Sequence, residues 1–152
     1  MLQMRLICVG KLKERFYQDA CREYQKRLGA FCRLEILQLN EESDRPGALE
    51  KEAERIRAAL LPGSFVIAMC VEGKGMSSEA LAEKLGQLQT GGVSRVCVLI
   101  GSSRGLDEGL KREAALRLSM SPMTFPHHLA RVMTLEQLYR ALSILSGGKY
   151  HK

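Results

Sequence analysis

The chain has 152 residues, of which 45% are hydrophobic, so it can form one domain with a real core but hardly two. No apolar run is long enough to span a bilayer, and the opening residues 1–5 lack the features of a signal peptide, so we expect a soluble, cytoplasmic protein. The net charge is +6, with both ends basic and the middle acidic, which suits a phosphate-rich partner but also simple solubility.

The five cysteines indicate neither a metal site nor a disulfide framework. They are scattered, odd in number and without Cys-x-x-Cys spacing. Cys8, Cys70 and Cys97 lie within apolar runs, where a free cysteine is usually a small core residue. A catalytic cysteine needs an adjacent base, which the sequence does not place. We therefore expect no metal and no thiol chemistry.

Strands and helices alternate along the chain. Five apolar runs predict strands, at residues 3–9, 34–39, 65–71, 95–100 and 115–120. Helical periodicity and capping residues predict helices at residues 13–28, 48–60, 77–88, 106–113 and 126–145. In the first helix, Phe16, Ala20, Tyr24 and Leu28 recur four apart, so we expect them to form its buried face opposite a basic one.

This alternation indicates an α/β domain. Strands that are apolar on both faces and separated by helices are typical of a mainly parallel sheet covered by helices, here of five or six strands. No repeat, low-complexity tract or linker divides the chain, so we expect residues 1–152 to form a single domain. Periodicity alone favours an open flavodoxin-like sheet, because knotted folds are rare.

The stretch from residue 118 to residue 150 combines structural and chemical signals. It predicts a short strand, a proline-marked loop and a helix whose apolar residues recur from Leu129 to Leu145. Thr124 is placed to cap this helix, which begins with His127 and His128. The pattern fits an ordinary strand–loop–helix of a core. It also fits a binding site, because backbone groups, an apolar lining and titratable side chains occur together.

Three glycine- or proline-marked loops follow predicted strands, at residues 71–76, 101–105 and 120–126. In open parallel sheets, ligands bind where such loops meet at the carboxyl ends of the strands. None of the three has the spacing of a phosphate-binding loop, which disfavours a nucleoside triphosphate or a dinucleotide. A flat, mostly uncharged ligand held through backbone groups fits better, and the adenosyl group of S-adenosylmethionine is of this kind.

Three sequence blocks carry a resemblance to a known family. They are Cys70-Val-Glu-Gly-Lys-Gly-Met-Ser-Ser78, Leu99-Ile-Gly-Ser-Ser-Arg-Gly-Leu106, and Met123-Thr-Phe-Pro-His127 continued through Arg131, Glu136-Gln-Leu-Tyr-Arg140 and Tyr150-His-Lys152. With the opening Arg5-Leu-Ile-Cys-Val-Gly-Lys11, the chain resembles the ribosomal large subunit methyltransferase H family of the SPOUT superfamily. The resemblance spans essentially the whole chain.

The resemblance implies an α/β-knot fold with a C-terminal trefoil knot and assembly as a homodimer. It implies an enzyme that uses S-adenosylmethionine to methylate N3 of a pseudouridine in the 23S rRNA of the ribosome.

The resemblance also implies which residues hold the cofactor. They are Met69, Gly101, Ser102, Ser121, Pro122, Met123, Thr124, Phe125 and Pro126. The family usually has two glycines where this chain has Gly101-Ser102, and a serine would be awkward there if the backbone needs a positive φ or must approach a ligand closely. Plain core packing is the alternative role for Met69 and Met123.

The same resemblance selects the groups that would act on the RNA. They are His127, Arg131, Glu136, Arg140, Tyr150 and His151. Methylation of an imide nitrogen requires a proton acceptor, for which the histidines, the tyrosine and the glutamate are available. Arg131 and Arg140 are expected to hold phosphate, with Glu136 orienting one of them. Chain termini often fray, but the resemblance favours an active-site role for the last residues.

Two other functions fit parts of the pattern. A basic α/β factor that binds RNA or the ribosome without catalysis would show the same charge distribution. A flavodoxin-like nucleotide binder would show the same alternation of strands and helices. Binding of S-adenosylmethionine separates the enzyme from the first, and a bound flavin would identify the second.

Overall fold

A fully parallel sheet of five strands forms the centre of the fold. The computed structural model describes residues 1–152. Its strands are β1 (Leu2–Val9), β2 (Cys32–Leu39), β3 (Phe65–Gly75), β4 (Arg95–Ile100) and β5 (Leu116–Ser119). Its helices are α1 (Arg15–Leu28), α2 (Ala48–Ala59), α3 (Ser78–Thr90), α4 (Glu108–Glu113) and α5 (His127–Leu145). The predicted α/β class, with a parallel sheet covered by helices, is confirmed.

The strand order is β2-β1-β4-β3-β5, so β4 lies between β1 and β3. A flavodoxin-like sheet has its third strand beside the first. The expectation from periodicity alone is therefore wrong in its strand order. Periodicity cannot distinguish the two orders, because both β3 and β4 are apolar runs that suit a central position. The trefoil knot stays a prediction.

Each face of the sheet carries its own core. The larger core lies between the sheet and α1, α3 and α5, and it includes Cys21, Leu85 and Leu135. The smaller core lies on the other face, against α2 and α4, and it includes Ile56 and Leu110. Complete burial of a leucine such as Leu85 or Leu135 contributes about 1.5–3 kcal/mol. These cores hold α5 between α1 and α3, above the sheet.

The buried face of α1 differs from the predicted one. Leu28 is buried and Tyr24 packs against the core as predicted, but Phe16 is 66% exposed, and Tyr17 and the buried Cys21 lie on the core side in place of Phe16 and Ala20. The buried stripe therefore begins at Tyr17, one residue later than predicted. Because successive helical residues are 100° apart, this shift of one residue turns Phe16 out of the core.

The helix α5 also departs from its predicted pattern. Leu138 and Leu142 are buried as expected, but Leu145 is 41% exposed, and Arg131 and Thr134 lie in the core instead. The predicted cap is wrong as well. The N-cap is Pro126, which makes no side-chain bond, whereas the predicted Thr124 lies two residues earlier in an exposed part of the loop.

The cap of α3 is confirmed, since Ser77 accepts a hydrogen bond from the Ala80 N–H at 3.0 Å. In none of the helices are length and apolar character sufficient for a membrane span.

Candidate functional site

A cavity of about 650 Å³ opens beside the second half of β3 and at the carboxyl ends of β4 and β5. Its walls come from residues 69–72 within β3, from residues 100–106, and from residues 120–127 apart from Pro122. Of the three predicted loops, the second and third line the cavity, whereas the first, residues 71–76, lies mostly within β3 and contributes only Val71 and Glu72. The remaining lining residues are Lys111 of α4 and Ala130 and Thr134 of α5. Because β4 and β5 both lie beside β3 in the sheet, these three segments border one space.

The predicted cofactor residues lie in this cavity with one exception. Pro122 belongs to the loop after β5 but does not line the cavity. The others do so: Met69, Gly101, Ser102, Ser121, Met123, Thr124, Phe125 and Pro126. The cavity therefore combines an apolar lining with loop backbone groups, which is the combination that an adenosyl group requires.

Gly101 is needed because its loop folds tightly on itself. A Cβ atom at this position would lie 2.3 Å from the carbonyl oxygen of Gly105 and 2.8 Å from the Leu106 nitrogen. The backbone at residue 101 is thus in contact with the far side of its own loop. Position 101 therefore requires a glycine whether or not its backbone also approaches a ligand closely.

Ser102 fits its position without strain. No residue other than glycine has a positive φ in this chain, so the backbone at position 102 does not disfavour a serine. The left-handed residue of the loop is Gly105, with φ +83°, and its N–H donates to the Ser102 carbonyl at 2.8 Å. The turn therefore requires glycine at position 105, not at position 102.

Two charged residues of the cavity escaped the sequence analysis. Lys111 forms ion pairs with Glu72 and, at 2.8 Å, with Glu108. Arg104 pairs with Asp44 at 3.0 Å and with the buried Glu52 at 3.3 Å. Arg104 lies within the second sequence block and could have been noticed there. The pairing of Lys111 with Glu72 joins distant parts of the chain and leaves no local signal.

His127 is the predicted acid–base group that reaches the cavity. It is the first residue of α5, it lines the cavity, and its ring centroid lies 4.0 Å from that of His128. Burial, reinforced by the nearby His128, lowers the pKa of His127 below its ordinary value. The imidazole of His127 is therefore neutral at pH 7 and can accept a proton.

Arg131 is not placed to hold a phosphate. Its side chain is 3% exposed, and its guanidinium donates to the Gly10 carbonyl at 2.9 Å and to Gln38 Oε1 at 2.9 Å. Both acceptors belong to this chain, and the remaining Nε–H has no partner. Arg131 therefore anchors α5 to the interior and does not form the expected phosphate contact. The apolar periodicity of α5 did not indicate this internal role.

The other predicted acid–base and phosphate-binding groups form a separate cluster, which we call the tail cluster: Glu136, Arg140, Tyr150 and His151. Glu136 accepts hydrogen bonds from Arg140 Nη2 at 2.6 Å and from the Tyr150 hydroxyl at 2.7 Å. Arg140 also donates to His151 Nδ1 at 3.1 Å, and its guanidinium lies 4.7 Å from the centroid of the Tyr150 ring. The residues that follow α5 thus fold back onto their own helix.

Protonation within the tail cluster follows from these contacts. Burial raises the pKa of Glu136, but hydrogen bonds from Arg140 and Tyr150 outweigh it and leave this pKa below its ordinary value. The hydrogen bond to Glu136, together with burial, raises the pKa of Tyr150. At pH 7 the cluster therefore contains a carboxylate and a protonated phenol. Neither of these groups is suited to act as a base.

The tail cluster and the cavity lie on different sides of α5. His127 and Glu136 are nine positions apart, as are Arg131 and Arg140. In a helix with 3.6 residues per turn, nine positions correspond to about half a turn of rotation and about 13 Å along the axis. No member of the tail cluster lines the cavity. Within one chain, the predicted acid–base groups are therefore divided between two places.

Comparison with known proteins gives consistent findings. The profile of a family described as "Predicted SPOUT methyltransferase" matches residues 2–151. A protein of Bifidobacterium adolescentis named "Ribosomal RNA large subunit methyltransferase H" is 43% identical over 159 aligned residues, which cover 99% of this chain and 100% of that protein. A protein of the same name from Streptococcus equi subsp. zooepidemicus is 40% identical, with the same coverage of both chains.

Solved structures resemble the fold as well. A probable methyltransferase from Bordetella pertussis has a TM-score of 0.62 at 17% identity, covering 93% of this chain and 96% of that one. A probable methylase family protein from Haemophilus influenzae has a TM-score of 0.57 at 15% identity, covering 98% of this chain and 70% of that one. At such identities, the likeness concerns the fold alone.

Proposed function

Because the chain belongs to the SPOUT methyltransferase family, we propose that it transfers a methyl group from S-adenosylmethionine to the RNA of the large ribosomal subunit. The observation that carries this proposal is the cavity between β3 and the loops that follow β4 and β5. Residues of all three sequence blocks line it. The names of the relatives supply the class of substrate. The finer target, N3 of a pseudouridine in 23S rRNA, follows from the motif resemblance.

The cavity suits S-adenosylmethionine in shape and chemistry. Met69 and Phe125 provide apolar walls for an adenine ring, while the tight loop of Gly101 and Gly105 offers backbone groups. The charges of Lys111 and Arg104 are neutralised by their own partners, so they leave the adenosyl part an almost uncharged surface. When bound, S-adenosylmethionine supplies an electrophilic methyl group. The protein contributes by holding donor and acceptor in line.

The proton of the target N–H needs an acceptor near the cavity. His127 is neutral at pH 7 and lines the cavity, so we assign it this role. The Arg140 guanidinium, held by Glu136, is suited to bind a phosphate of the target nucleotide. In this scheme Tyr150 and His151 position the nucleotide, and Arg131 acts from the interior by fixing the start of α5.

The division of these groups between two sides of α5 supports a homodimer. If two chains pair about a twofold axis along α5, the tail cluster of one can face the cavity of the other. Exposed apolar side chains, including Met123 at 73% and Leu145 at 41% exposure, offer surface for such a contact. Each active site would then consist of a cavity from one chain and a tail from its partner.

Two measurements on the purified protein test the proposal. Calorimetry should detect binding of S-adenosylmethionine, and mass spectrometry should detect a methyl group added to large-subunit rRNA isolated from cells that lack this enzyme. A protein that binds ribosomes but gives no heat with S-adenosylmethionine would instead be a non-catalytic binding factor. Methylation at a different nucleotide would retain the enzyme class and overturn only the finer target.

A further inference from the structure

The connection between β1 and α1, residues 10–16, is fixed unusually well for a surface loop. We call it the β1–α1 segment. Arg131 donates to the Gly10 carbonyl at 2.9 Å and to Gln38 Oε1 at 2.9 Å. The same Gln38 oxygen accepts from the Leu12 N–H at 3.1 Å, and Gln18 donates to the Leu12 carbonyl at 2.7 Å. The side chain of Leu12 is 7% exposed. The backbone of the segment is therefore held by hydrogen bonds at Gly10 and at both polar groups of Leu12.

The fixed segment presents cations and an aromatic ring to solvent. Lys11, Lys13 and Arg15 are all exposed, and the next residue, Phe16, is 66% exposed. In the extended part of the segment, side chains alternate in direction, so Leu12 points inward between two outward lysines. The ring of Phe16 packs against that of Tyr17, with centroids 4.4 Å apart, but this contact leaves most of Phe16 exposed beside three cations.

None of these cations forms an ion pair with a nearby carboxylate. Glu14 lies 3.4 Å from His128, and Asp19 pairs with Arg22 on the following turn of α1. Arg15 is the first residue of α1, whose first turn contains no acidic residue. A cation there opposes the helix dipole and slightly destabilises the helix. The positive charge is thus placed against the preference of the helix, which favours a role in binding.

The segment lies at the edge of the proposed active site. A Cβ atom built on Gly10 would be 3.2 Å from Nε2 of His127, which lines the cavity. From Gly10 to Phe16 the chain can span at most roughly 20 Å. Lys11, Lys13, Arg15 and Phe16 therefore lie within a few nucleotides of any target that reaches the cavity.

We infer that the β1–α1 segment is a binding surface for unpaired RNA next to the target nucleotide. Lys11, Lys13 and Arg15 bind successive phosphates, and the ring of Phe16 stacks on an unpaired base. Single-stranded nucleic acid is recognised in this way, by cations along the backbone and by aromatic rings against the bases. A protein partner is less well suited, since lysine is depleted in protein interfaces. The inference rests on the proposed function, because it assigns part of the same substrate to this surface.

The stacking role is tested with three substitutions of Phe16. Binding to large-subunit rRNA and to a short single-stranded RNA oligonucleotide is measured with each variant. Phe16→Ala and Phe16→Leu should weaken binding by about 5- to 150-fold, the range expected for one lost stacked base, whereas Phe16→Trp should retain it. Binding of S-adenosylmethionine should stay unchanged in all three. If Phe16→Leu binds as well as the wild type, the flat ring is not used and the stacking role is wrong.

The phosphate contacts are tested with a matched pair of double variants. Lys13→Ala/Arg15→Ala removes two cations of the segment, and Lys26→Ala/Arg33→Ala removes two exposed cations, one from the last turn of α1 and one from the start of β2. The first should reduce the slope of log K against log salt by about 1.4 for single-stranded RNA, and the second should leave the slope unchanged. Equal losses in both would mean that only overall charge matters, and would overturn the inference.

Two controls distinguish this inference from a role of the segment in dimerisation and from the proposed function itself. Light scattering of Phe16→Ala should give the same mass as the wild type. A loss of the dimer would identify this face as a subunit contact and overturn the inference. If the wild type and all segment variants methylate rRNA equally well, the inference is wrong and the proposed function stands. If the wild-type protein does not bind S-adenosylmethionine, the proposed function is wrong instead.

Discussion

Each half of α5 carries an arginine, and the two side chains have opposite environments. Arg131, near the start, is buried and bound to neutral acceptors, the Gly10 carbonyl and Gln38. Arg140, in the second half, pairs with the carboxylate of Glu136 and is one-quarter exposed. A buried guanidinium with internal acceptors organises the protein, whereas a partly exposed one in an ionic cluster remains available to a phosphate. The residue type alone does not indicate the role.

The same contrast applies to the acid–base groups. The beginning of α5 brings His127 to the cavity, while Glu136, Tyr150 and His151 lie around the opposite face. Within a single chain, the cavity and the tail cluster are therefore separate. Under the proposed function, catalysis would require both ends of α5, from two different chains.

The largest expected effect is at the cavity. Gly101→Val should abolish measurable binding of S-adenosylmethionine and all methyl transfer, because the new side chain would clash with the Gly105 carbonyl and deform the loop. Calorimetry measures the binding, and circular dichroism checks that the fold persists. Gly75→Val is a suitable control, since a Cβ atom there would meet nothing within 4 Å. Wild-type affinity in folded Gly101→Val would exclude this loop from the site.

The next largest effect concerns the other end of α5. Removal of residues 150–152 should lower methyl transfer by at least about 10²-fold, the scale of a lost positioning or acid–base group, with affinity for S-adenosylmethionine nearly unchanged. A mixture of the truncated chain with the Gly101→Val chain tests whether the two ends of α5 act from different chains. Recovered activity in the mixed dimer would mean that each site uses the tail of the partner. Full activity of the truncated chain alone would contradict the proposed role of the tail.

The two arginines should differ in what their loss changes. Arg131→Ala should lower the free energy of unfolding by about 1–3 kcal/mol, because the buried acceptors Gly10 and Gln38 lose their donors. Arg140→Ala should change stability little but reduce the salt dependence of rRNA binding, as expected for a lost phosphate contact. Denaturant unfolding and salt titrations measure the two quantities. The same pattern in both variants would mean that the two ends of α5 do not differ as proposed.

The smallest effect is a pH dependence of stability at His127. Its pKa in the folded protein lies below the ordinary value of about 6.5, so between these two pKa values the unfolded chain binds more protons. Stability is therefore highest above this window and falls as the pH drops through it. His127→Asn should remove this part of the pH dependence that the wild type shows. Unfolding in urea across this pH range makes the comparison.

The sequence predicted which segments form strands better than it predicted the order of those strands in the sheet. Apolar runs are a local signal, and each marks a strand within a few residues of its observed bounds. The insertion of β4 between β1 and β3 depends on how the chain crosses over, which no local pattern records. The bounds of β3 were missed for a related reason, because its pairing with β5 shifts register between Met69 and Lys74 and continues to Gly75.

The cavity was largely predictable and the rest of the site was not. Most of its residues follow the ends of β4 and β5, and a parallel sheet places such ends together. Spacing by four fits Phe16 as well as Tyr17, so it cannot decide which of the two lies in the core. The family resemblance places Arg131 among the groups that act on RNA, but it does not show that the side chain is buried. In both cases the outcome depends on distant packing partners, such as Gln38 for Arg131.

The hydrogen bond between Arg131 and Gly10 joins residues that are 121 positions apart, so it also bears on the order of folding. Contacts between distant parts of a chain form late, because they close the longest loops. During synthesis, β1 leaves the ribosome long before the helix that fixes its end exists. The Gly10 carbonyl gains its donor only when α5 docks, so this end of the β1–α1 segment is fixed late, whereas Leu12 is already held by Gln18 and Gln38.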